Sequence, residues 1–173
     1  MIWCCLAVAI PAISPAASND DKSTENPALS AINSVLDDWH RAAASADEEH
    51  YFRHLADESV FLGTDATERW NREAFRKYVH PHFSKGKGWT FKSVRRNVTI
   101  SADGKIAWFD EDLKTQNLGP CRGSGVLVLD GNDWKIAQYN LTVPIPNDVF
   151  KEVKKIIEAA LKGKKEEEKK GAN

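Results

Sequence analysis

The stretch CRGSGVLVLDGNDWKIAQYNLTVPIP, from Cys121 to Pro146, decides the fold of this chain. Apolar and polar residues alternate in two runs on either side of a turn, DGND, at residues 130–133. Alternation with a period of two around an Asp-Gly turn predicts a β-hairpin. The same alternation places polar side chains in half-buried strands, where they need partners from the protein or from a ligand. These polar residues are Arg122, Ser124, Gln138 and Asn140.

Upstream of the hairpin, helical spacing comes first and strand spacing follows. The pattern predicts three helices, which begin at Asn26-Pro27, after Asp47 and after Asn71, and the third stops at Pro81. A period of two then predicts strands over 89–101, 106–116, 122–129 and 134–143, besides a short strand over 59–62.

Strands joined in sequence by tight turns form an antiparallel meander, and helices followed by a meander indicate an α+β fold. A sheet of this length twists and curls around the helix layer. We therefore expect a pocket between the sheet and the helices.

The two ends of the chain differ from this central region. An apolar run followed by small residues over 1–18 is typical of a secretory signal peptide, although no Lys or Arg precedes the run. The alternative is an apolar tail docked on the core. We predict export to the periplasm or outside the cell, a linker over 19–27 and no membrane span after signal removal. Residues 148–173 predict an amphipathic helix with a charged tail.

Composition limits the function classes. A chain of 173 residues with 42% hydrophobic and 28% charged residues is typical of one globular domain. A net charge of −1 offers no support for nucleic-acid binding. If cleavage occurs near Ala17, Cys121 is the only cysteine left, which excludes an intramolecular disulfide. We predict that Cys121 is a small buried hydrophobe.

Several segments carry a resemblance to a known family. They are WHRAAASAD (39–47), FLGTDATERW (61–70), KGWTF (87–91), AWFDE (107–111) and the hairpin itself. Together they resemble the SnoaL-like, SnoaL-3 type domains of the nuclear transport factor 2-like superfamily over residues 28–147. The resemblance implies a cone-like fold with a strongly curved antiparallel or mixed sheet, a cavity between sheet and helices, and frequent homodimers packed through the sheet. It implies little about chemistry, because the superfamily holds isomerases, dehydratases, hydrolases, cyclases and non-catalytic modules.

Asp110 and Glu111 are the first catalytic candidates. Adjacent residues on a strand point to opposite faces, so only one of the two can face a pocket, and the local alternation leaves open which. A carboxylate in an apolar cavity can act as a general acid or base. The structural alternative is an ion pair with Arg122 on the neighbouring strand.

Histidines supply a second set of candidates. His40 lies on the flank of the first helix and suits proton transfer, or is a hydrogen-bonded structural residue. His50 and His54 have the spacing of a shared ligand face on a helix, but no third ligand is evident from the sequence. We therefore predict no metal site and no cofactor.

Aromatic and polar residues complete the predicted ligand site. We expect it to be formed by Trp39, Phe61, Trp70, Trp108, Arg122, Gln138 and Asn140. The loop over 63–70 either closes the pocket mouth or serves only as a turn. The sequence thus predicts an exported, homodimeric protein that binds a small apolar or aromatic molecule. An enzyme that uses one cavity carboxylate, with Arg122 and Gln138 orienting the substrate, is the second interpretation. A homodimeric interaction module is the third.

Overall fold

A computed structural model describes residues 26–171, so the predicted signal peptide over 1–18 and most of the linker lie outside the described residues. The described region contains four helices and six strands. The helices are α1 (Pro27–Ser45), α2 (Glu48–Arg53), α3 (Arg72–Phe83) and α4 (Phe150–Gly171). The strands are β1 (Leu55–Leu62), β2 (Arg69–Asn71), β3 (Lys92–Ile100), β4 (Ile106–Lys114), β5 (Pro120–Asp130) and β6 (Asp133–Thr142).

The strands form one sheet in the order β2-β1-β6-β5-β4-β3. All neighbours are antiparallel except β1 and β6, which are parallel. A mixed sheet beside a helix layer confirms the predicted α+β class. The chain enters the sheet at β1, leaves it for α3 and returns through the meander, so β6 closes against β1. This return explains why one parallel pair interrupts an otherwise antiparallel sheet.

Side-chain caps begin the first three helices at the predicted residues. The side-chain oxygens of Asn26, Asp47 and Asn71 accept hydrogen bonds from backbone N–H groups at 3.0, 3.0 and 2.8 Å. The prediction that Pro81 stops α3 is wrong, because the helix continues to Phe83. A proline removes only its own N–H, and close to a helix end that loss leaves the remaining turn intact.

A β-bulge in β6 changes which side chains face the helices. Leu127 pairs with Ile136, whereas Val126 pairs with Gln138, so Ala137 is an extra residue. Before the bulge Trp134 and Ile136 are buried, and after it Tyr139 and Leu141 are buried. The alternation therefore changes phase in the middle of the strand.

The hydrophobic core lies between the sheet and helices α1, α2 and α3. We call the sheet face that these helices cover the inner face, and the opposite face the outer face. Cys121 is buried in this core at 3% exposure, as the sequence predicts. The principal contact of α4 is with the 3₁₀ turn at Asn147–Val149. Between residues 26 and 171, no helix combines the length and the apolar character needed to cross a membrane.

Candidate functional site

A pocket of about 190 Å³ opens between the inner face and α3. We call it the aromatic pocket, since its walls are mainly rings: Phe61, Trp70, Phe75, Tyr78, Trp89 and Phe91, with Gly63, Thr64, Glu68, Leu118 and Leu141 completing it. The rings of Phe61 and Phe75 are stacked with centroids 4.0 Å apart, and those of Trp70 and Tyr78 are stacked at 4.8 Å. Stacked walls of this kind suit a flat apolar molecule.

The loop between β1 and β2 forms one rim of the aromatic pocket. The N–H of Gly63 donates to the carbonyl oxygen of Glu68 at 2.9 Å, and the Glu68 carboxylate accepts from the N–H of Asp65 at 3.1 Å. A β-carbon on Gly63 would lie 2.2 Å from that carboxylate, so the loop closes this tightly only with glycine there. The loop thus carries its own turn geometry and also contributes Gly63, Thr64 and Glu68 to the pocket.

A much smaller cavity lies deeper between the sheet and α1. Its volume of about 10 Å³ is close to the minimum that a single water needs. Trp39 lines it, stacked on Tyr51 at 4.9 Å and edge-on to Tyr139 at 4.6 Å. Trp39 Nε1 and Tyr51 Oη are buried without a hydrogen-bond partner in the described part of the chain. Trp39, a predicted ligand residue, therefore lies behind the aromatic pocket, while Phe61 and Trp70 form its walls.

Glu111 forms a hydrogen-bonded cluster in the core although it has no exposed surface. Its Oε1 lies 2.7 Å from His40 Nε2 and accepts from the Tyr139 hydroxyl at 3.2 Å. Its Oε2 accepts from Arg96 Nε and Nη2 at 3.0 and 2.9 Å. Burial alone would raise the pKa of Glu111, but the hydrogen bonds and charges of His40 and Arg96 outweigh it and lower that pKa to about 2. Glu111 is therefore an ionised carboxylate whose oxygens are fully engaged.

Gly123 makes this cluster possible from the neighbouring strand. It pairs with Glu111 across β4 and β5. A β-carbon at Gly123 would lie 2.2 Å from the Tyr139 hydroxyl oxygen and 3.0 Å from Glu111 Cγ. The missing side chain leaves the space in which Tyr139 reaches Glu111.

The prediction that Asp110 or Glu111 forms an ion pair with Arg122 is wrong. Arg122 pairs with Asp112 in the register of β4 and β5, and the cation that contacts Glu111 is Arg96 of β3. Asp110 points to the outer face, where it is exposed and accepts a hydrogen bond from Asn97 Nδ2 at 3.0 Å. A carboxylate in that position does not face the space between sheet and helices.

Four predicted ligand residues also belong to the outer face. Register places Trp108 beside Val126 and Gln138, and the next row holds Asp110, Ser124 and Asn140. Trp108 is 49% exposed, and Arg122 and Gln138 are exposed as well. The expectation that Trp108, Arg122, Gln138 and Asn140 border the pocket between sheet and helices is therefore wrong. The structure does bring these residues together, but on the opposite side of the sheet.

A second cluster joins α1 to α2. Asp38 Oδ2 lies within hydrogen-bond distance of His50 Nε2 and is 2.9 Å from His54 Nε2. These three side chains could together hold a metal ion, because their ligand atoms all lie within 4.8 Å of one another. Asp38 is the third ligand that sequence spacing does not reveal, since it comes from a different helix. The hydrogen bond from His50 is the main reason why the pKa of Asp38 lies well below its usual range, and burial lowers the pKa of His54.

Comparison with known proteins gives the class and then the family. The mixed sheet packed against a layer of helices is the fold of solved structures described as NTF2-like. The sequence model of the SnoaL-like domain matches residues 32–146, and the chain belongs to this family. No curated protein matches the sequence.

Solved structures show the same fold at low sequence identity. An NTF2-like protein of unknown function from Pseudomonas putida KT2440 has 13% identity and a TM-score of 0.58, over 69% of this chain and 89% of its own. A proposed scytalone dehydratase from Novosphingobium aromaticivorans DSM 12444 has 11% identity and a TM-score of 0.57, over 68% and 84%. A proposed ketosteroid isomerase from Parabacteroides distasonis ATCC 8503 has 18% identity and a TM-score of 0.55, over 73% and 95%.

Proposed function

We propose that this protein binds a small, flat, largely apolar molecule in the aromatic pocket. The observation that carries the proposal is the pair of stacked walls, Phe61 on Phe75 and Trp70 on Tyr78, around an open volume of about 190 Å³. A cavity of roughly 150 Å³ is enough to hold benzene, so one or two fused rings fit this size class. The rim at Thr64 and Glu68 supplies polar atoms that orient one end of the ligand.

The test uses phenol and 1-naphthol as probes, with tryptophan fluorescence as the readout. Leu118 is 43% exposed at the pocket mouth, so Leu118→Trp fills the mouth without disturbing the core. Ile106, 44% exposed in β4, offers the matched control Ile106→Trp. We expect saturable binding that Leu118→Trp weakens at least tenfold and Ile106→Trp leaves unchanged. Equal binding by both variants would refute the assignment of the pocket.

A second candidate function, proton transfer, is favoured by the geometry of His40. Glu111 engages His40 Nε2, while Nδ1 has no hydrogen-bond partner in the described residues. His40 borders both the small inner cavity and a surface depression of about 400 Å³ formed with Asp37, Phe91 and neighbouring residues. A carboxylate that orients an imidazole in this way leaves the second nitrogen of the neutral ring as a proton acceptor. We therefore assign proton transfer to His40 and not to a cavity carboxylate, and Glu111 positions the His40 ring.

Hydrogen–deuterium exchange next to a carbonyl group tests this second candidate. Incubation of 2-cyclohexenone in D₂O with the protein, followed by NMR, measures abstraction of the acidic protons. We expect the wild-type protein to catalyse exchange and His40→Gln to lose this activity. His82→Gln is the control and should keep it, since His82 is exposed on α3. Exchange at the rate of buffer alone would refute the catalytic interpretation.

We further propose that the outer face mediates a homodimer. Trp108 is 49% exposed there beside Val126 and Gln138, and Arg122 is exposed on the same face opposite Asp112. Tryptophan and arginine are among the residue types most enriched in interface hot spots. Light scattering after size-exclusion chromatography should give twice the monomer mass, and Trp108→Asp should give the monomer. Phe150→Ala, at 54% exposure on α4, serves as the control. A monomeric wild-type protein at micromolar concentration would contradict the proposal.

Export is proposed from the sequence of residues 1–18 alone, which lie outside the described residues. The test is N-terminal sequencing of the mature protein from its own host. We expect a start after about residue 18, and an intact Met1 would contradict export through a cleaved signal peptide.

A further inference from the structure

We propose that Asp38, His50 and His54 form a binding site for a divalent transition metal of the zinc type. The site shares no residue with the aromatic pocket or with the Glu111 cluster, and its ligands come from α1 and from α2 with its C-terminal cap residue.

The turn between α1 and α2 brings the three side chains together. α1 ends at Ala46, which adopts the left-handed conformation at φ 56°, and Asp47 caps α2 directly afterwards. The two helices therefore fold back on one another, and Asp38 in α1 faces His50 and His54. The two histidines are four residues apart, so their rings lie side by side with centroids 5.2 Å apart.

The donor atoms have the arrangement of a three-ligand site. Both imidazoles present Nε2 to the same oxygen, Asp38 Oδ2, and the three donors lie within 4.8 Å of one another. Tetrahedral zinc with bonds of 2.0–2.2 Å needs donors about 3.3 Å apart, so small side-chain rotations suffice. Two imidazoles and one carboxylate favour zinc and neighbouring transition metals over calcium or magnesium, which prefer oxygen ligands. The His50 and Asp38 side chains remain 33% and 29% exposed, which leaves access for the ion and for a water ligand.

Two arginines act on this site in opposite ways. Arg41 donates to the other carboxylate oxygen of Asp38 at 2.5 Å, and such an outer contact orients a ligand and leaves Oδ2 for the metal. Arg53 lies 2.7 Å from His50 Nδ1. When Nε2 binds a metal, Nδ1 carries the proton and cannot accept from Arg53, so this exposed guanidinium must swing into solvent. The contact of Arg53 with His50 therefore competes with metal binding and does not help to orient His50 as a ligand.

Calorimetry with zinc chloride on the full chain, treated with chelator and purified without a histidine tag, tests the proposal. We expect one zinc per chain, with affinity reduced at least tenfold in Asp38→Asn and His54→Gln and unchanged in His82→Gln. Far-UV circular dichroism verifies that each variant is folded. Absence of zinc binding, or the same affinity in wild type and Asp38→Asn, would overturn the site.

Two further measurements identify the ligands. Cobalt(II) should give visible absorption bands in the wild-type protein that His50→Gln removes. Arg53→Gln should bind zinc as tightly as the wild type or more tightly, since the competing guanidinium is gone. Weaker binding by Arg53→Gln, or cobalt bands that persist in His50→Gln, would contradict the role of His50 Nε2 as a ligand.

Discussion

Asp110 and Glu111 are neighbours in β4, yet they occupy two different environments. Glu111 points to the inner face, where it is fully buried and bound by His40, Arg96 and Tyr139. Asp110 points to the outer face, where it is exposed and contacts Asn97. The contrast extends over the sheet, since aromatic rings and one ion cluster occupy the inner face and polar residues around Trp108 occupy the outer face. Chemical type alone thus says little about role, because the face of the sheet decides which partners a side chain meets.

We expect the largest difference in the free energy of unfolding between two variants that neutralise Glu111 and Asp110. Glu111→Gln removes the buried ion pair between Glu111 and Arg96, although Arg96 keeps its contact with Asp37 at 2.9 Å. The loss of the buried pair should lower the free energy of unfolding by about 3 kcal/mol. Asp110→Asn should change it by no more than about 0.5 kcal/mol, since its partner is a single exposed hydrogen bond. Urea denaturation measures both values. Equal effects would break the contrast between the two faces.

Acid should destabilise the protein through the inner-face carboxylate. The folded-state pKa of Glu111, about 2, lies below its ordinary value of 4.5. A lowered pKa means that the contribution of Glu111 to the stability of the fold is complete above pH 4.5 and is lost as the pH falls towards 2. The difference between the two pKa values corresponds to roughly 3 kcal/mol of stability. Stability measured from pH 6 to pH 2 should fall less steeply in Glu111→Gln than in the wild type, and identical slopes would count against the buried ion pair.

Gly123→Ala tests the packing that lets Tyr139 reach Glu111. The new β-carbon would overlap the Tyr139 hydroxyl group, so we expect a loss of about 2 kcal/mol in the free energy of unfolding. Ser124→Ala, on the outer face of the same strand, is the matched control and should have a small effect. A neutral Gly123→Ala would show that Tyr139 is not held at Glu111.

Trp108→Ala should have a smaller effect on the folded monomer than Glu111→Gln. With half of its surface in water, the side chain buries about half as much area as a core tryptophan, and we expect a loss of roughly 1–2 kcal/mol in the free energy of unfolding. The measurement is urea denaturation of Trp108→Ala and of the wild-type protein, both at a dilution at which they are monomeric. A loss comparable to that of Glu111→Gln would mean that the outer face contributes to the core.

Local sequence signals predict much of this fold but only part of the site. The three helix caps and the turn at Gly131 depend on neighbouring residues, and the structure has them where the sequence indicates. The faces of Gln138 and Asn140 are harder to predict, because the bulge at Ala137 shifts the alternation by one residue.

Partners that are distant in sequence are missed altogether. Glu111 faces Arg96 through the register of β3 and β4, and a pattern within one strand does not identify which neighbouring strand supplies the cation. The same holds for Asp38, which reaches His54 only through the angle between two helices. The prediction is better for two aromatic residues near the β1–β2 loop, since Phe61 and Trp70 do line the pocket.

The most direct test of the central claim follows the indole N–H signals of the tryptophans by ¹H–¹⁵N NMR during a titration with phenol. Trp70 and Trp89 line the aromatic pocket, whereas Trp108 lies on the outer face and Trp134 belongs to the core away from the pocket. The account predicts saturable shifts of the Trp70 and Trp89 signals, while those of Trp108 and Trp134 stay in place. A saturable shift of Trp108 with Trp70 and Trp89 unchanged, or no saturable shift at all, would contradict it.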